Sequence, residues 1–282
     1  GAIAGSMDVA MNAAAVQVER GLGRAIMSAS HGFWSLGGFV GAGLGGWIMA
    51  HWGALPQAVA VAMGVAVLVT LASRFLLPDA PAPEQTTTGQ RLLPRDLGLW
   101  LIGLMALFCM VPEGAVMDWA AIYLAQELGA DAFRSGLGFA FFAGAMAVMR
   151  FSGDVVRNRF GAVKTLQISG LAGAAGLLIA ALSSHDTLAL AGFALSGLGV
   201  ANLAPVMYSA AGNHPGLPSG VAISAVTTVG YAGILVAPAV IGFIAEHIGF
   251  RITYAALAGL LLLVVAQAHR ARNADAARPP RP

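Results

Sequence analysis

The sequence has little charge for its length, and this shortage excludes most soluble folds. Of its 282 residues only 10% are charged, whereas 58% are hydrophobic; soluble domains carry about 25% charged residues. There is a single cysteine, Cys109, so an intramolecular disulfide is excluded and a cysteine metal cluster is not indicated. The net charge of +2 and the placing of the basic residues do not indicate a nucleic-acid-binding surface.

The sequence also lacks the patterns that mark enzymes. It contains no nucleophile beside a base at a recognisable spacing, no Walker phosphate loop and no cluster of metal ligands. We therefore expect no enzyme, no cofactor and no metal. No secretory signal is evident. The chain begins on Gly1 rather than Met, within a segment typical of the middle of a helix, so we expect that an N-terminal portion precedes it.

What the sequence does contain is long apolar runs. Nine runs are long enough for helices that cross a bilayer, which need roughly 20 residues. Continuous runs of this length favour helices over the alternating strands of a membrane barrel. The fold class predicted is all-α, a polytopic transmembrane helical bundle of about nine helices. The predicted spans are 1–18, 25–50, 57–77, 97–124, 135–156, 163–182, 187–211, 221–245 and 252–268.

One connection is much longer than the others. Residues 78–96 are rich in Pro and Thr and also contain Gln and Gly, a composition typical of a solvated linker. The linker divides the chain into a partial N-terminal half of three helices, residues 1–77, and a six-helix C-terminal half, residues 97–268. Residues 269–282 are basic and Pro-rich and are predicted to form a disordered tail.

Basic residues predict the orientation in the membrane. All Lys and Arg residues except Arg134 and Arg251 fall in the connections on one side of the predicted helices, in the tail or, like Arg150, in a span near that side. Cytoplasmic loops carry the excess of positive charge. The linker and the tail are therefore predicted to be cytoplasmic, in a multi-pass protein of the inner membrane.

Two carboxylates, Glu113 and Asp118, lie inside the fourth predicted span and are its only charged residues. An ionisable group well inside a span costs about 2.5 to 3.5 kcal/mol, so it normally faces a bundle interior or a water-filled path. Both are candidates for proton coupling or for binding a polar substrate. Glu113 lies further from the predicted outer surface, so it is the stronger candidate.

Polar residues in other spans extend this candidate site. Asp8 and Asn12 are four residues apart and share a helix face, which should point into the bundle. His31 is either a coupling group or a packed polar residue near a helix end, and Trp34, three residues further on, is a further substrate or coupling candidate. Asn202 and Tyr231 either line a cavity or form local hydrogen bonds.

A stripe of small residues in the second span predicts tight helix packing. Its members are Gly37, Gly41, Gly45 and Gly46. The spacing resembles Gly-x-x-x-Gly-Pro-x-x-Gly-Gly, the fifth-helix signature of the major facilitator superfamily (MFS). Ala42 replaces the Pro of the form associated with antiporters, so antiport is not favoured.

Residues 153–164 resemble a second motif of that superfamily, the cytoplasmic loop Gly-x-x-x-Asp-Arg-x-Gly-Arg-Arg. Arg159 and Gly161 match the motif's Arg and second Gly, Asn158 replaces its Asp, and Asp154 replaces its first Gly. The excess of positive charge that cytoplasmic loops normally carry also explains Arg157 and Arg159. In the family such loops hold helix ends together, which implies a conformational role for Asp154, Arg157, Arg159 and Gly161.

The resemblance extends over the whole chain, which looks like helices four to twelve of an MFS transporter. The segments around Asp8, around His31 and Trp34, and around Glu113 are similar to a bacterial branch of fucose-permease-like or rhizopine-transporter-like proteins. This implies secondary active transport of a small polar solute by alternating access, with the bilayer, the solute and protons as partners and proton symport as one mode. The alternatives are a channel, a non-transporting structural or interaction protein, and a truncated inactive transporter fragment.

Overall fold

The computed structural model describes residues 2–75 and 94–276, and all regular structure in these residues is helical. The all-α prediction is confirmed. Nine predicted spans correspond to ten α-helices because the span at 187–211 is divided at Ala201 and Asn202. The helices are α1 Ala2–Leu22, α2 Met27–Trp52, α3 Ala54–Ser73, α4 Leu97–Leu128, α5 Ala132–Phe160, α6 Ala162–Leu182, α7 Asp186–Val200, α8 Leu203–Gly212, α9 Ser219–Ile248 and α10 Phe250–Gln267, followed by the 3-10 helix η1, Ala268–Asp275.

Seven segments of the described residues are long and apolar enough to cross a membrane. The helices α1 and α2, which the sequence also predicts to span, are not among them. The set makes the chain a multi-pass membrane protein. Its segments are Ala54–Ser73, Leu97–Leu128, Phe133–Phe160, Ala162–Leu182, Asp186–Gly212, Ser219–Ile248 and Phe250–Asp275.

Helix ends are fixed by short polar residues and glycine. Asp96 precedes α4, and its side chain accepts hydrogen bonds from the backbone N–H groups of Gly98 at 2.6 Å and Leu99 at 3.2 Å. This satisfies donors that have no partner within the helix. At the other end of α4, Gly129 has φ 67°, a conformation that glycine adopts without strain.

The helices α6 and α7 pack backbone against backbone. A Cβ atom placed on Gly176 would lie 2.8 Å from Cα of Ser196, and one on Gly192 would lie 3.2 Å from Cα of Ala180. Apolar side chains gain little by leaving lipid for a helix interface, so small residues that allow close approach stabilise such pairs. These glycines allow α6 and α7 to approach closely in the C-terminal part of the chain.

The small residues predicted to pack on α2 behave differently. Within the described residues, nothing lies within 4 Å of a Cβ placed on Gly37 or Gly41, and Gly45 faces the side chain of Gln57 at 3.1 Å. The surroundings of Gly46 lie outside what the structure describes. The packing predicted for Gly37 and Gly41 therefore stays a prediction, since of these glycines the structure describes a neighbour within 4 Å only for Gly45.

The chain divides into two compact units, one within Gly1–Gly32 and Leu93–Pro282, the other within Phe33–Leu92. The first unit holds the buried core. In the second, every side chain of α3 is at least partly exposed. The predicted division at 78–96 stays a prediction, since most of that linker lies outside the described residues.

The tail differs from the disorder that the sequence predicted for residues 269–282. Its first part forms η1, in which Ala268, Ala271 and Ala274 are buried. A 3-10 helix has three residues per turn, so these alanines form one face. The prediction was wrong here because it weighed the basic composition and missed this period. Residues 277–282 lie outside the described part of the chain.

Candidate functional site

The first element of the site is an ion pair between α4 and α5. Nη2 of Arg150 donates to Oε1 of Glu113 at 3.0 Å, and the two side chains are 8% and 18% exposed. Arg150 therefore lies inside the bundle rather than at the membrane surface. A buried guanidinium beside a carboxylate partly offsets the cost of burying either charge.

The second element joins α1, α2 and α8. Nδ2 of Asn12 donates to the backbone oxygen of Asp8 at 2.9 Å and to its Oδ1 at 3.2 Å. Oδ1 of Asn12 lies 3.2 Å from Nε2 of His31. Because that oxygen accepts, the contact assigns the imidazole proton to Nε2. The imidazole ring stacks on Tyr208, with centroids 5.6 Å apart and an interplanar angle of 17°.

These two elements form one polar cluster with Tyr231 of α9. The Tyr231 hydroxyl approaches the carboxylate of Asp8, and Arg150 lies close enough to His31 for electrostatic interaction. Glu113 interacts in the same way with Tyr208. We call this set the polar cluster; its members are Asp8, Asn12, His31, Glu113, Arg150, Tyr208 and Tyr231.

A groove adjoins the polar cluster between α1 and α9. Its volume is about 670 Å³, and Tyr231 lies in its wall. Much of the remaining lining is small, and four further hydroxyl groups belong to Ser6, Ser224, Thr227 and Thr228. Hydroxyl groups in the wall of a cavity of this size can bind a small polar molecule.

Three predicted site residues lie elsewhere. Asp118 is exposed on α4. Asn202 is 1% exposed, and its Cγ would lie 2.7 Å from a Cβ placed on Gly153, so it packs against α5 rather than lining the groove. Trp34 belongs to the second unit and is 59% exposed, and its role stays a prediction.

A second group of polar contacts surrounds the start of α2. Oε1 of Glu19 accepts from the N–H groups of residues 26 and 27 at 3.0 and 3.1 Å. The carboxylate of Asp154 accepts from those of residues 28 and 29 at 3.0 and 2.7 Å. Carboxylates from two other helices thus satisfy the donors at this N-terminus, where the helix dipole also favours negative charge.

Arg157 connects these contacts to the C-terminal part of the chain. Its Nη1 donates to Glu19 at 2.9 Å and to Oγ of Ser209 at 2.8 Å, and Ser209 donates to Glu19 at 2.8 Å. Arg157 also donates to the backbone oxygen of Ala274 and lies 3.6 Å from Asp275. We call Glu19, Asp154, Arg157, Ser209 and Asp275 the end network. It joins α1, α2, α5, α8 and η1.

The structure corrects where the predicted loop motif lies. Asp154, Arg157 and Arg159 belong to the last turns of α5, and Gly161 alone connects α5 to α6. Gly161 has φ 86°, which favours glycine. Arg159 is exposed, with its guanidinium 5.5 Å from the ring centre of Phe160. The sequence predicts that α5 ends before these basic residues, but the helix continues through them.

Several functional residues were not among the predicted site residues. Arg150 and Glu19 are two of them. Ser209 and Asp275 were not singled out. Glu19 lies near the end of α1 and is 1% exposed, and that burial is visible only once the helices are packed.

A multi-pass bundle with a polar cluster between its helices and a buried charge network at one end has the features of a membrane transporter. The family comparison agrees with this class. The model of the Major Facilitator Superfamily matches residues 1–214 and 104–282. The chain belongs to that superfamily, and the resemblance inferred from its motifs is confirmed.

Similar proteins extend this result. The chain is 38% identical over 271 residues to an uncharacterized MFS-type transporter of Yersinia pestis, covering 95% of this chain and 69% of the relative. It is 32% identical to the membrane protein MosC of Rhizobium meliloti, covering 88% and 60%. Among solved structures, the fucose:proton symporter of E. coli has a TM-score of 0.69 at 18% identity, covering 86% of this chain and 67% of the symporter. That likeness concerns the fold.

Proposed function

We propose that the chain acts as a secondary active transporter of a small polar solute, driven by protons, by alternating access across the bacterial inner membrane. The observation that carries the proposal is the polar cluster. It brings carboxylates from two helices, Asp8 and Glu113, together with amide, imidazole, guanidinium and phenol groups beside a groove of about 670 Å³. Intramembrane carboxylates of this kind mark substrate and proton pathways.

The two carboxylates have different surroundings, which suggests different roles. Glu113 is paired with Arg150. Among the described residues, the structure gives Asp8 no ion pair; its carboxylate contacts the neutral side chains of Asn12 and Tyr231. Asp8 can therefore gain and lose a proton without breaking an ion pair. We assign proton coupling to Asp8, which the sequence suggested only as a further polar residue of the site, with the Glu113–Arg150 pair orienting the solute.

The end network supplies the second requirement of alternating access, a closed end that can open. In such transporters two halves rock around a central site. Arg20, Arg24 and the basic end of α5 lie at the end network, which makes this the cytoplasmic end if positive charge sets the orientation. In the described arrangement this end is closed, because Arg157 and Asp154 of α5 bind Glu19 and the start of α2. Opening toward the cytoplasm must break these contacts.

The proposal is tested in proteoliposomes with an imposed pH gradient. The probes are labelled L-fucose and a panel of other sugars and polyols, and both gradient-driven accumulation and solute exchange without a gradient are measured. Wild type is expected to accumulate at least one solute. Asp8→Asn should lose accumulation and keep exchange, because only the proton step is removed. Glu113→Gln should lose proton-driven uptake and also bind the solute more weakly.

Asp118→Asn is the matched control, since it removes a carboxylate from the exposed side of the same helix. It is expected to transport like wild type. Accumulation by Asp8→Asn with unchanged pH dependence would remove Asp8 from the coupling step, and unchanged uptake by Glu113→Gln would remove Glu113 from the mechanism. If wild type moves none of the probes, a non-transporting structural role is favoured.

A further inference from the structure

A second cavity lies where the start of α4, the connection between α8 and α9, and η1 meet. Its volume is about 470 Å³. It is separate from the polar cluster and contains none of its residues. The polar side chains in its wall are Asp96, His214, His269, Arg270, Arg272 and Asn273.

The sequence of η1 explains why basic side chains collect here. Ala268, Ala271 and Ala274 form the buried face of this 3-10 helix. With three residues per turn, the intervening positions must lie on the remaining faces. Those positions hold His269, Arg270, Arg272 and Asn273, so burying the alanines turns the polar side chains toward the cavity.

The charges in the cavity wall favour an anion. The cavity wall contains two guanidinium groups and two imidazoles but a single carboxylate, that of Asp96. That carboxylate already accepts two backbone N–H groups at the start of α4 and lies 3.8 Å from Nε2 of His214. Arginine presents planar pairs of donors that match phosphate oxygens. Basic pockets on the cytoplasmic side of membrane proteins bind phosphate head groups in the same way.

We propose that this cavity binds a phosphate-bearing anion, either the head group of an anionic phospholipid or a free phosphate compound, and that the bound anion holds η1 in place. The binding step does not depend on the proposed function. Its consequence reaches the end network, because η1 also supplies the backbone oxygen of Ala274 and the carboxylate of Asp275 to Arg157. Asp275 in turn accepts from the N–H of Ala162 at 2.6 Å. An occupied cavity therefore stabilises the closed arrangement of this end.

The test uses the purified full chain in a neutral detergent and in phosphatidylcholine vesicles. Thermal unfolding is followed while inorganic phosphate is added to the detergent sample, and separately in vesicles with and without phosphatidylglycerol. The double variant Arg270→Gln/Arg272→Gln is compared with Arg24→Gln/Lys164→Gln, which removes two exposed positive charges outside the cavity. A phosphate-bearing ligand that binds the native state raises the unfolding temperature.

We expect at least one of the two probes, phosphate or phosphatidylglycerol, to raise the unfolding temperature of wild type and of the Arg24/Lys164 control. The Arg270/Arg272 variant should bind at least roughly tenfold more weakly, equivalent to about 1.4 kcal/mol. Replacement of both by lysine, which keeps the charge, should restore part of the binding. A response to phosphate identifies a free anion as sufficient, and a response to phosphatidylglycerol alone identifies the lipid head group.

Two results would overturn the proposal. One is the absence of any stabilisation of wild type by either probe. The other is an equal response of both double variants. Phosphate also stabilises proteins because it is excluded from their surface, and the arginines would then be explained by the positive charge that cytoplasmic segments normally carry. If the double glutamine variant does not fold, Arg270→Gln and Arg272→Gln are tested singly, and unchanged binding in both has the same meaning.

Discussion

The pair Glu19–Arg157 gives the sharpest test of the end network. Its side chains are 1% and 3% exposed, and N and O lie 2.9 Å apart. Glu19→Gln keeps the shape of the side chain and an oxygen that can accept from the start of α2. It leaves the guanidinium of Arg157 buried without its nearest carboxylate.

The surroundings of Arg157 determine how much the Glu19→Gln substitution lowers the free energy of unfolding. Removing one partner of a buried ion pair typically costs about 3 to 5 kcal/mol. Arg157 retains Ser209, the Ala274 oxygen and Asp275 at 3.6 Å, so we expect the lower end of that range. Arg157→Gln should cost less, about 2 kcal/mol, because hydrogen bonds to the charged group of Glu19 remain. The double variant should cost about 3 kcal/mol instead of the sum, which is a coupling energy of about 2 kcal/mol.

The assay is equilibrium unfolding of the four proteins by a denaturing detergent added to mild detergent micelles. Arg24→Gln is the control, since Arg24 is an exposed arginine near the same helix ends and should change the free energy of unfolding by less than about 0.5 kcal/mol. Strictly additive effects of the two substitutions would refute the reasoning. They would mean that Glu19 and Arg157 act independently and that the end network is not a unit.

Two further predictions concern helix contacts. Gly176→Ala should destabilise the chain by about 1 to 3 kcal/mol through overpacking against α7, whereas Gly144→Ala, which has nothing within 4 Å of the new Cβ, should be neutral or stabilising in the same thermal unfolding measurement. Asp154→Ala should speed hydrogen exchange at Ser28 and Ala29 and cost about 1 to 2 kcal/mol as a lost helix cap; protection equal to wild type would show that the cap does not hold the start of α2.

Most of the helices could be predicted because segments that cross a bilayer have a simple sequence pattern. A span must be a continuous apolar run, so most helix positions followed from the spacing of polar residues. The exceptions have local causes. The end of α5 stays helical up to Phe160, with Asp154 and Arg157 bound to other elements. The helix η1 forms because every third residue is an alanine that packs.

The candidate site was only partly predictable. Glu113, Asp8 and Asn12 could be found because polar side chains inside an apolar span are rare. Their partners could not, because Arg150 is 37 positions from Glu113 in the chain and His31 is 19 from Asn12. Which polar groups meet depends on how helices rotate about their axes, and a single sequence does not encode that rotation in any short pattern.

The two sites proposed to work in transport share a helix, and this constrains how they can communicate. Arg150 in the polar cluster and Arg157 in the end network lie on α5 about 10 Å apart along its axis, at 1.5 Å per residue. Gly153 lies between them, and Asn202 occupies the space that a side chain would take. Since α5 is continuous from Ala132 to Phe160, a shift that accommodates a solute at Arg150 moves Arg157 with it. The ion pair between Arg157 and Glu19 must then stretch. The free energy of that ion pair therefore sets how much free energy solute binding must supply to open the closed end.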